Sequence, residues 1–220
     1  YFKGVVSNEV TLHDTVRVVG DIWIHKGGTL NVEAGTFLQF QGPYQISVLG
    51  NLNVLGTDEK RVKFDAVDTL TMIVNELRFD KGWTGIRFYG SDTCQSIIQH
   101  CHFRNIGVPA YYAGNYPPDF TFRYHQIEII DYDNVTFEHC LFESNFNHIT
   151  EKKSSSALYC NSSENINLSH CIFNDNFVNE GGATCVYSES STVNISNCII
   201  RNHKTQYWGN SRSNSFCIIS

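Results

Sequence analysis

The chain is organised around a short pattern that occurs in four copies. NVTFEHCLFESN at residues 134–145 returns as NINLSHCIFNDN at 165–176 and TVNISNCIIRN at 192–202, and QSIIQHCHFRN at 95–105 is a looser, earlier copy. Each copy has two apolar residues two positions apart, then a step of three to a cysteine, then another apolar residue two positions further on. A spacing of two places side chains on one face of a strand. The pattern therefore predicts two short strands joined by a bend.

The cysteines of this pattern define the length of the repeat. They are Cys101, Cys140, Cys171 and Cys198, and the interval between neighbours shortens along the chain. Such a varying period is expected when the strands are constant and the loops are not. A unit that cannot bury its apolar face alone must stack on its neighbours. The sequence thus predicts a solenoid in which each repeat is one coil.

Shorter repeats precede these copies. Residues 21–40 and 44–64 each contain three alternating apolar pairs with glycine-bearing bends, and the interval from Ile24 to Val48 equals that from Phe40 to Phe64. Three short strands with their bends make a coil of about this length. We therefore predict an all-β fold, a three-sided parallel β-helix. It would form a single domain over residues 1–220, with short regular coils in 1–64 and coils with long insertions in 85–220.

A short apolar segment marks the first strand of each later coil. These segments are GIRFYG (85–90), IEII (127–130), ALYC (157–160), ATCV (183–186) and SFCI (215–218). Their alternation predicts the inward pairs Ile86/Phe88, Ile127/Ile129, Leu158/Cys160, Thr184/Val186 and Phe216/Ile218, and the outward residues Arg87, Glu128, Tyr159, Cys185 and Cys217. Free cysteines are usually buried, so we expect the four repeat cysteines to form an inward ladder of thiols. Cys185 and Cys217 would face outward and form a disulfide.

Four insertions follow the third strand of their coils, at residues 65–84, 104–126, 146–156 and 203–214. They should gather on one edge of the solenoid, beside the first strands, and such an edge often binds ligands. The second insertion is rich in aromatic residues, among them Tyr111, Tyr112 and Tyr116. With Trp83, Tyr207 and Trp208, they could stack on sugars or pack together in a local aromatic core. The predicted ligand-binding residues are Tyr111, Tyr112, Tyr116, Tyr159 and Arg87.

Carboxylates provide the candidates for catalysis. Asp131 and Asp133 are predicted to point the same way from one strand, roughly 6.5 to 7 Å apart, which suits glycoside cleavage by two carboxylates. Glu128 and Arg87 would be neighbours on adjacent coils. They could form an exposed ion pair, or Arg87 could bind or deprotonate an acidic sugar. The catalytic candidates are therefore Arg87, Glu128, Asp131 and Asp133, and a solvated acidic strand end is the alternative.

No metal or other cofactor is expected. The eight cysteines lack paired CxxC spacing, which zinc sites commonly show. His100, His139 and His170 each precede a repeat cysteine, and we interpret them as turn residues because neighbours at a bend should not converge inside the core. The four Asn-x-Ser/Thr sequons, at Asn134, Asn161, Asn167 and Asn194, are interpreted as chance matches in a chain rich in these residues.

Charge and hydropathy restrict the partners. The net charge is −6 without any run of Lys or Arg, so nucleic acid is not expected as a partner. No apolar run approaches the roughly 18 to 20 residues of a membrane helix. The chain begins with Tyr1 and ends directly after FCII, so we expect it to be a piece of a longer protein.

The residues also resemble a known family. WIHKGGTLNVEAGTFLQF, LNVLGTDEKRVKF and GWTGIRF are similar to the opening coils of bacterial right-handed parallel β-helix proteins of the pectin-lyase-like superfamily. FESN, FNDN and GGAT resemble the repeats of polymorphic outer-membrane passenger domains. The resemblance implies a right-handed, single-stranded helix and an extracellular or cell-surface location. The NTD, DD, GHG and RIK motifs of pectinases are not found, so no catalytic residue is transferred.

Three functions are compatible with these observations. The first is a secreted or cell-surface module that presents aromatic loops to a glycan or a protein, without catalysis. The second is a polysaccharide lyase or glycoside hydrolase acting in a groove over the first sheet. The third is a structural component of a larger envelope assembly. Fold alone does not separate them, because one fold can host many functions.

Overall fold

The structure of the chain is a computed structural model that describes residues 1–67, 82–91, 93–108, 126–148, 157–179, 185–206 and 212–213. Within these residues, the regular secondary structure consists of 25 β-strands. Every strand pairing is parallel except one pairing near the C-terminus. Apart from β24 and β25 at the C-terminal end, strands that are consecutive in the chain lie on different faces, and equivalent strands of successive coils pair with each other. The chain is therefore a parallel β-helix with three long faces, as the repeats predict.

The first two faces run through all coils. The first comprises β1 (Phe2–Val6), the end of β3 (Thr15–Ile24), β6 (Gln45–Val48), β9 (Gly85–Ser91), β13 (Ile127–Tyr132), β17 (Leu158–Asn161) and β21 (Val186–Glu189). The second comprises β2 (Glu9–Leu12), β4 (Thr29–Glu33), β7 (Asn51–Leu55), β10 (Ser96–Gln99), β14 (Val135–Glu138), β18 (Ile166–Ser169) and β22 (Val193–Ser196).

The third face is joined by a short fourth ladder. The third face comprises the start of β3, β5 (Phe37–Phe40), β8 (Val62–Ala66), β11 (Cys101–Arg104), β15 (Leu141–Glu143), β19 (Ile172–Asn174) and β23 (Ile199–Arg201). The fourth comprises β12 (Gly107–Val108), β16 (Phe146–His148), β20 (Phe177–Asn179), β24 (Lys204–Gln206) and β25 (Arg212–Ser213). Because its strands have only two or three residues, the sequence shows too little alternation to predict this ladder. It stacks the beginnings of the later insertions on one edge.

Inward side chains form continuous apolar rows along the axis. One row of the first face runs Ile22, Ile46, Ile86, Ile127, Leu158 and Val186, each at most 1% exposed. Burying such a side chain contributes about 1.5 to 3 kcal/mol, so the rows hold successive coils together. The predicted inward pairs of residues 86–88, 127–129 and 158–160 are confirmed, as is Val186. Thr184, Phe216 and Ile218 lie outside the described residues, as does Cys217.

The coil length differs between faces. Ile24 pairs with Val48 on the first face, as predicted. On the third face, Phe64 pairs with Leu38 rather than with Phe40, so the step there is longer. The cause is the connection between β7 and β8, which is longer than the corresponding connection between β4 and β5. The predicted uniform step is therefore wrong for this face.

The residue before each repeat cysteine has the left-handed backbone conformation, and this bend accounts for the step of three in the pattern. His100, His139, His170 and Asn197 have φ values of 46°, 52°, 53° and 53° and connect the second face to the third. This conformation turns the chain while keeping the following strand's apolar residues inward. The interpretation of the three histidines as turn residues is confirmed.

The cysteine ladder is present, but Cys185 is not where the sequence predicts. Cys101, Cys140 and Cys171 are buried free thiols, and Cys198 is a half-buried free thiol. Cys185 is a thiol with 0% exposure, so the predicted outward position and disulfide are wrong. The predicted alignment is displaced, because Val186 rather than Thr184 pairs with Leu158. Cys185 therefore lies at the buried corner before β21, where its Sγ is 3.2 Å from His203 Nε2.

Candidate functional site

The outward side chains of the first face form one continuous line, which we call the outward row. It consists of Trp23, Ser47, Arg87, Glu128, Tyr159 and Tyr187, one from each of β3, β6, β9, β13, β17 and β21. Parallel strands are about 4.8 Å apart, so the line extends about 24 Å along the axis. Regular stacking of coils thus brings together residues that are far apart in sequence.

The centre of the outward row is an ion pair. Arg87 and Glu128 are register partners, which confirms their predicted adjacency, and Arg87 Nε lies 3.6 Å from Glu128 Oε2. The side chain of Glu128 is only 6% exposed although it points away from the core, and that of Arg87 is 24% exposed. A desolvated carboxylate is costly without a partner. The guanidinium also lies over the Tyr89 ring, 5.3 Å from its centroid, and this contact and the ion pair position the cation.

The C-terminal end of the row is a cluster of two phenols and one carboxylate. The rings of Tyr159 and Tyr187 stack with centroids 5.7 Å apart. The Tyr159 hydroxyl donates to Glu189 Oε2 at 2.7 Å, and the Tyr187 hydroxyl donates to Oε1 at 2.6 Å. These bonds, that of Tyr187 first, hold the pKa of the Glu189 carboxyl below its usual value. Burial, followed by the bond to Glu189, raises the pKa of Tyr159.

Together these groups favour recognition of hydroxyl groups. Carboxylates accept hydrogen bonds, guanidinium groups donate them, and phenols do both. Trp23, 36% exposed, adds an aromatic surface at the other end of the row. Glu128 and Glu189 lie two coils and two positions apart, so their Cα atoms are separated by about 11 to 12 Å. Both oxygens of Glu189 already accept phenol hydrogen bonds. The row is therefore better suited to binding than to cleavage by two carboxylates.

The predicted aspartate pair is not formed as expected. Asp131 has a φ of 50°, so the chain turns there instead of continuing as an extended strand. Asp133 follows the end of β13, and its Oδ1 accepts a hydrogen bond from the Glu164 backbone N at 2.6 Å. The prediction that both aspartates point the same way from one strand is wrong. Asp133 instead links its corner to the corresponding corner of the next coil.

Trp83 packs in the interior, which excludes stacking on sugars, the first of the two alternatives predicted for these aromatic residues. It is 0% exposed, its ring stacks on Phe40 at 4.3 Å, and its Nε1 donates to Arg104 O at 2.9 Å. Trp83 is therefore a core residue and offers no surface to a sugar. The other predicted aromatic residues of the insertions lie outside the described residues, namely Tyr111, Tyr112, Tyr116, Tyr207 and Trp208.

Sequence reasoning missed Tyr187 and Glu189, which lie at the end of the row. They were missed because ATCV, rather than VYSE, was aligned with the first strands. The alignment of VYSE with LYCN, which places Tyr187 opposite Tyr159, would have found them. The signal was present as a tyrosine at the second position of both segments.

Comparisons with known proteins agree on the fold. The family model described as the right-handed β-helix region matches residues 62–217. A solved structure from Parabacteroides merdae ATCC 43184, provisionally named a glycosyl hydrolase, aligns with a TM-score of 0.51 and 14% sequence identity, covering 95% of this chain and 85% of that chain. At this identity, the likeness concerns the fold alone. No curated protein matches the chain. Among the described residues, none forms a helix long and apolar enough to span a membrane.

Proposed function

Because the chain belongs to the right-handed β-helix family, we propose that it is a carbohydrate-binding module whose ligand lies along the outward row. The observation that carries this proposal is the cluster of Tyr159, Tyr187 and Glu189 in line with the Arg87–Glu128 pair. Stacking of the coils places these groups in one line along the axis. A linear polymer with repeated hydroxyl groups can contact several of them at once.

The charges favour an uncharged glycan. The chain has a net charge of −6, and the outward row together with Glu189 at its end contains one arginine against two carboxylates, those of Glu128 and Glu189. A polyanionic ligand would meet like charges, whereas sugar hydroxyls can donate to carboxylates and accept from the guanidinium. The ligand class that we propose is therefore a neutral polysaccharide.

The proposal also covers the aromatic residues of the second insertion and the cellular location of the protein. We assign Tyr111, Tyr112 and Tyr116 to the same binding edge, because the 104–126 insertion begins on the fourth ladder next to the first face. A module that binds polysaccharide acts where polysaccharide is found, which favours the cell surface or the extracellular space. A role as a component of a larger envelope assembly is compatible with this binding.

A second candidate function is glycoside cleavage at Glu128. The observation in its favour is the low exposure of this outward carboxylate, 6%, beside Arg87, since catalytic carboxylic acids are often desolvated. The P. merdae protein bears a hydrolase name. We favour binding because Glu189, the other carboxylate of the row, has both of its oxygens hydrogen-bonded.

A paired measurement tests the proposal. Calorimetric titration of the chain with a panel of neutral and acidic polysaccharides should show binding to a neutral one. Incubation with the same polymers should release neither reducing ends nor unsaturated uronates. Glu128→Gln keeps the shape of the side chain and serves as the control for catalysis. Turnover by the wild type that is abolished in Glu128→Gln would replace the binding proposal with the hydrolase or lyase.

A further inference from the structure

A second cluster of polar side chains lies at the bend between the second and third faces. The rings of His100 and His139 are parallel within 4° with centroids 4.7 Å apart, and those of His139 and His170 are parallel within 15° at the same distance. Asn197 takes the corresponding place in the next coil, and its Nδ2 lies 3.3 Å from His170 Nε2. Imidazoles from three successive coils thus form a column on the outside of the helix.

The backbone does not require histidine at these bends. Besides the histidines, the described non-glycine residues with positive φ are all Asn, Asp or Ser, for example Asp131, Asn134 and Ser162. Asn and Asp adopt the left-handed conformation at least as readily as His. Asn197 itself makes the fourth bend of the series. The turn therefore explains the conformation but not the choice of an imidazole.

We propose that Glu138, His139 and His170 bind a divalent transition-metal ion, with Zn²⁺ as the best match. One ligand atom from each of these side chains lies within 4.8 Å of the other two. Glu138 and His139 are half-buried and His170 is exposed, so an ion can reach the site from solvent. The site lies at the corner between the second and third faces and is separate from the outward row.

The spacing of the two histidines suits chelation. Equivalent residues of adjacent coils are about 4.8 Å apart. Histidines at positions i and i+4 of a helix, about 5 to 6 Å apart at Cβ, hold zinc from one side. Zinc binds at about 2.0 to 2.2 Å from nitrogen or oxygen. The ligand atoms must therefore approach each other by roughly 1 to 1.5 Å from the upper limit of 4.8 Å. Small torsional changes of the two half-buried side chains and of the exposed His170 provide this approach.

Neighbouring groups fix the ligands and set the local charge. Gln99 Nε2 donates to Glu138 Oε2 at 2.8 Å, which holds the carboxylate in place. Such partners of a ligand orient it and strengthen metal binding. Asp58 lies 3.1 Å from His100 Nδ1, and Arg61 donates to the His139 backbone O at 2.6 Å. The carboxylates of Glu138 and Asp58 and the guanidinium of Arg61 thus lie around the stacked imidazoles. The excess of one negative charge favours binding of a cation.

The ligand chemistry selects the class of ion. Two imidazoles and one carboxylate suit Zn²⁺, Cu²⁺ or Ni²⁺, whereas Ca²⁺ and Mg²⁺ prefer oxygen ligands alone. Three protein ligands leave at least one position for water or for a group from another molecule. No metal is expected from the sequence because histidines at a bend should not converge inside the core, whereas this cluster lies on the outside of the bend.

Zinc titration of the chelator-treated full chain tests this site. Competition with a chromophoric chelator should show one Zn²⁺ site in the wild type. His139→Asn, His170→Asn and Glu138→Gln should each weaken that site by more than about tenfold. Asparagine already forms the equivalent bend at Asn197, so the histidine variants should fold, which circular dichroism checks. His13→Asn removes an exposed imidazole elsewhere, with 69% side-chain exposure, and should leave the affinity unchanged.

Absorption of the Co²⁺-substituted protein identifies the ligand type. Ligation by nitrogen and oxygen should give only weak visible bands. A strong sulfur-to-metal charge-transfer band would assign the ion to the cysteines and overturn the proposal. Absence of a Zn²⁺ site in the wild type, or equal affinities of the wild type and His170→Asn, would overturn it as well.

Discussion

Tyr159 and Tyr187 occupy the same outward position of neighbouring coils, and their ring planes are inclined by only 13°. Both hydroxyls donate to the one carboxylate of Glu189. The cluster is therefore held in a single arrangement before any ligand arrives. A pre-organised site loses less conformational entropy on binding, which is the physical basis of the proposed carbohydrate-binding face.

The first prediction concerns the titration of Glu189. Tyr187→Phe removes the hydrogen bond that lowers the pKa of this carboxyl most, so that pKa should rise. Because the folded-state pKa of Glu189 is lowered, the stabilisation is present above its unfolded-state pKa and is lost as the pH falls through the folded-state value. The difference in unfolding free energy between wild type and variant should therefore shrink at acid pH.

Carboxyl-detected NMR of Glu189 and denaturant unfolding at several pH values check this prediction. Tyr89→Phe is the control, because Tyr89 contacts Arg87 through its ring. An unchanged Glu189 pKa in Tyr187→Phe would show that the phenol does not hold the carboxylate in solution.

The second prediction concerns Asn145, a buried asparagine before β16 whose side chain bonds to the backbone of the preceding coil. Asn145 Oδ1 accepts from the Ile106 backbone N at 2.9 Å, and its Nδ2 donates to Phe103 O at 3.2 Å. Asn145→Ala leaves both backbone groups without this partner, and each unsatisfied buried group costs about 1 to 3 kcal/mol. Urea unfolding should show a loss of about 2 to 6 kcal/mol. Asn8→Ala, at an exposed position, should change stability by less than about 0.5 kcal/mol, and similar losses in the two variants would refute this role of Asn145.

The third prediction separates two tryptophans. Trp83 is fully buried and Trp23 is 36% exposed. Trp83→Ala should destabilise the fold by about 3 to 5 kcal/mol, the usual cost of removing a large core side chain. Trp23→Ala should have a much smaller effect. Thermal unfolding of both variants provides the comparison, and an equal loss of stability would contradict the core position of Trp83.

The fourth prediction concerns the order in which the ladder thiols react. Burial raises the pKa of Cys101 well above its usual value, and the thiolate is the reactive form. Cys198 is only half-buried. Alkylation of the native chain, mapped by mass spectrometry, should modify Cys198 before Cys101 and Cys140. Labelling of all three at one rate would mean that burial does not protect Cys101 and Cys140, and it would contradict the prediction.

Much of the fold is predictable because local spacing and burial coincide. In Val135, Phe137, Cys140 and Phe142, the two steps of two and the step of three directly record two strands and a bend. Every copy of the pattern must fit the same core. The β-helix and its cysteine ladder therefore follow from the sequence.

The candidate site was harder to predict because register depends on contacts between coils. The alignment of ATCVYSE predicted from the sequence is displaced by two positions from the observed pairing. Because this displacement preserves the alternation, Val186 is still predicted to point inward. Tyr187 is overlooked, however, and the buried Cys185 is predicted to point outward. Asn145 and Asn176 could be noticed in FESN and FNDN only as a resemblance, since their hydrogen bonds run to other coils. The histidine column likewise becomes a possible chelate only when the bends are stacked.

The most direct test of the binding face compares two double variants from the same two coils. Tyr159→Ala/Tyr187→Ala alters the first face, and Asn167→Ala/Asn194→Ala alters outward register partners of the second face. The measurement is the dissociation constant for the neutral polysaccharide identified by the titration panel. We predict binding at least roughly tenfold weaker for the tyrosine variant, equivalent to about 1.4 kcal/mol, and an unchanged dissociation constant for the asparagine variant. Equal affinities of the tyrosine variant and the wild type would contradict the proposed site.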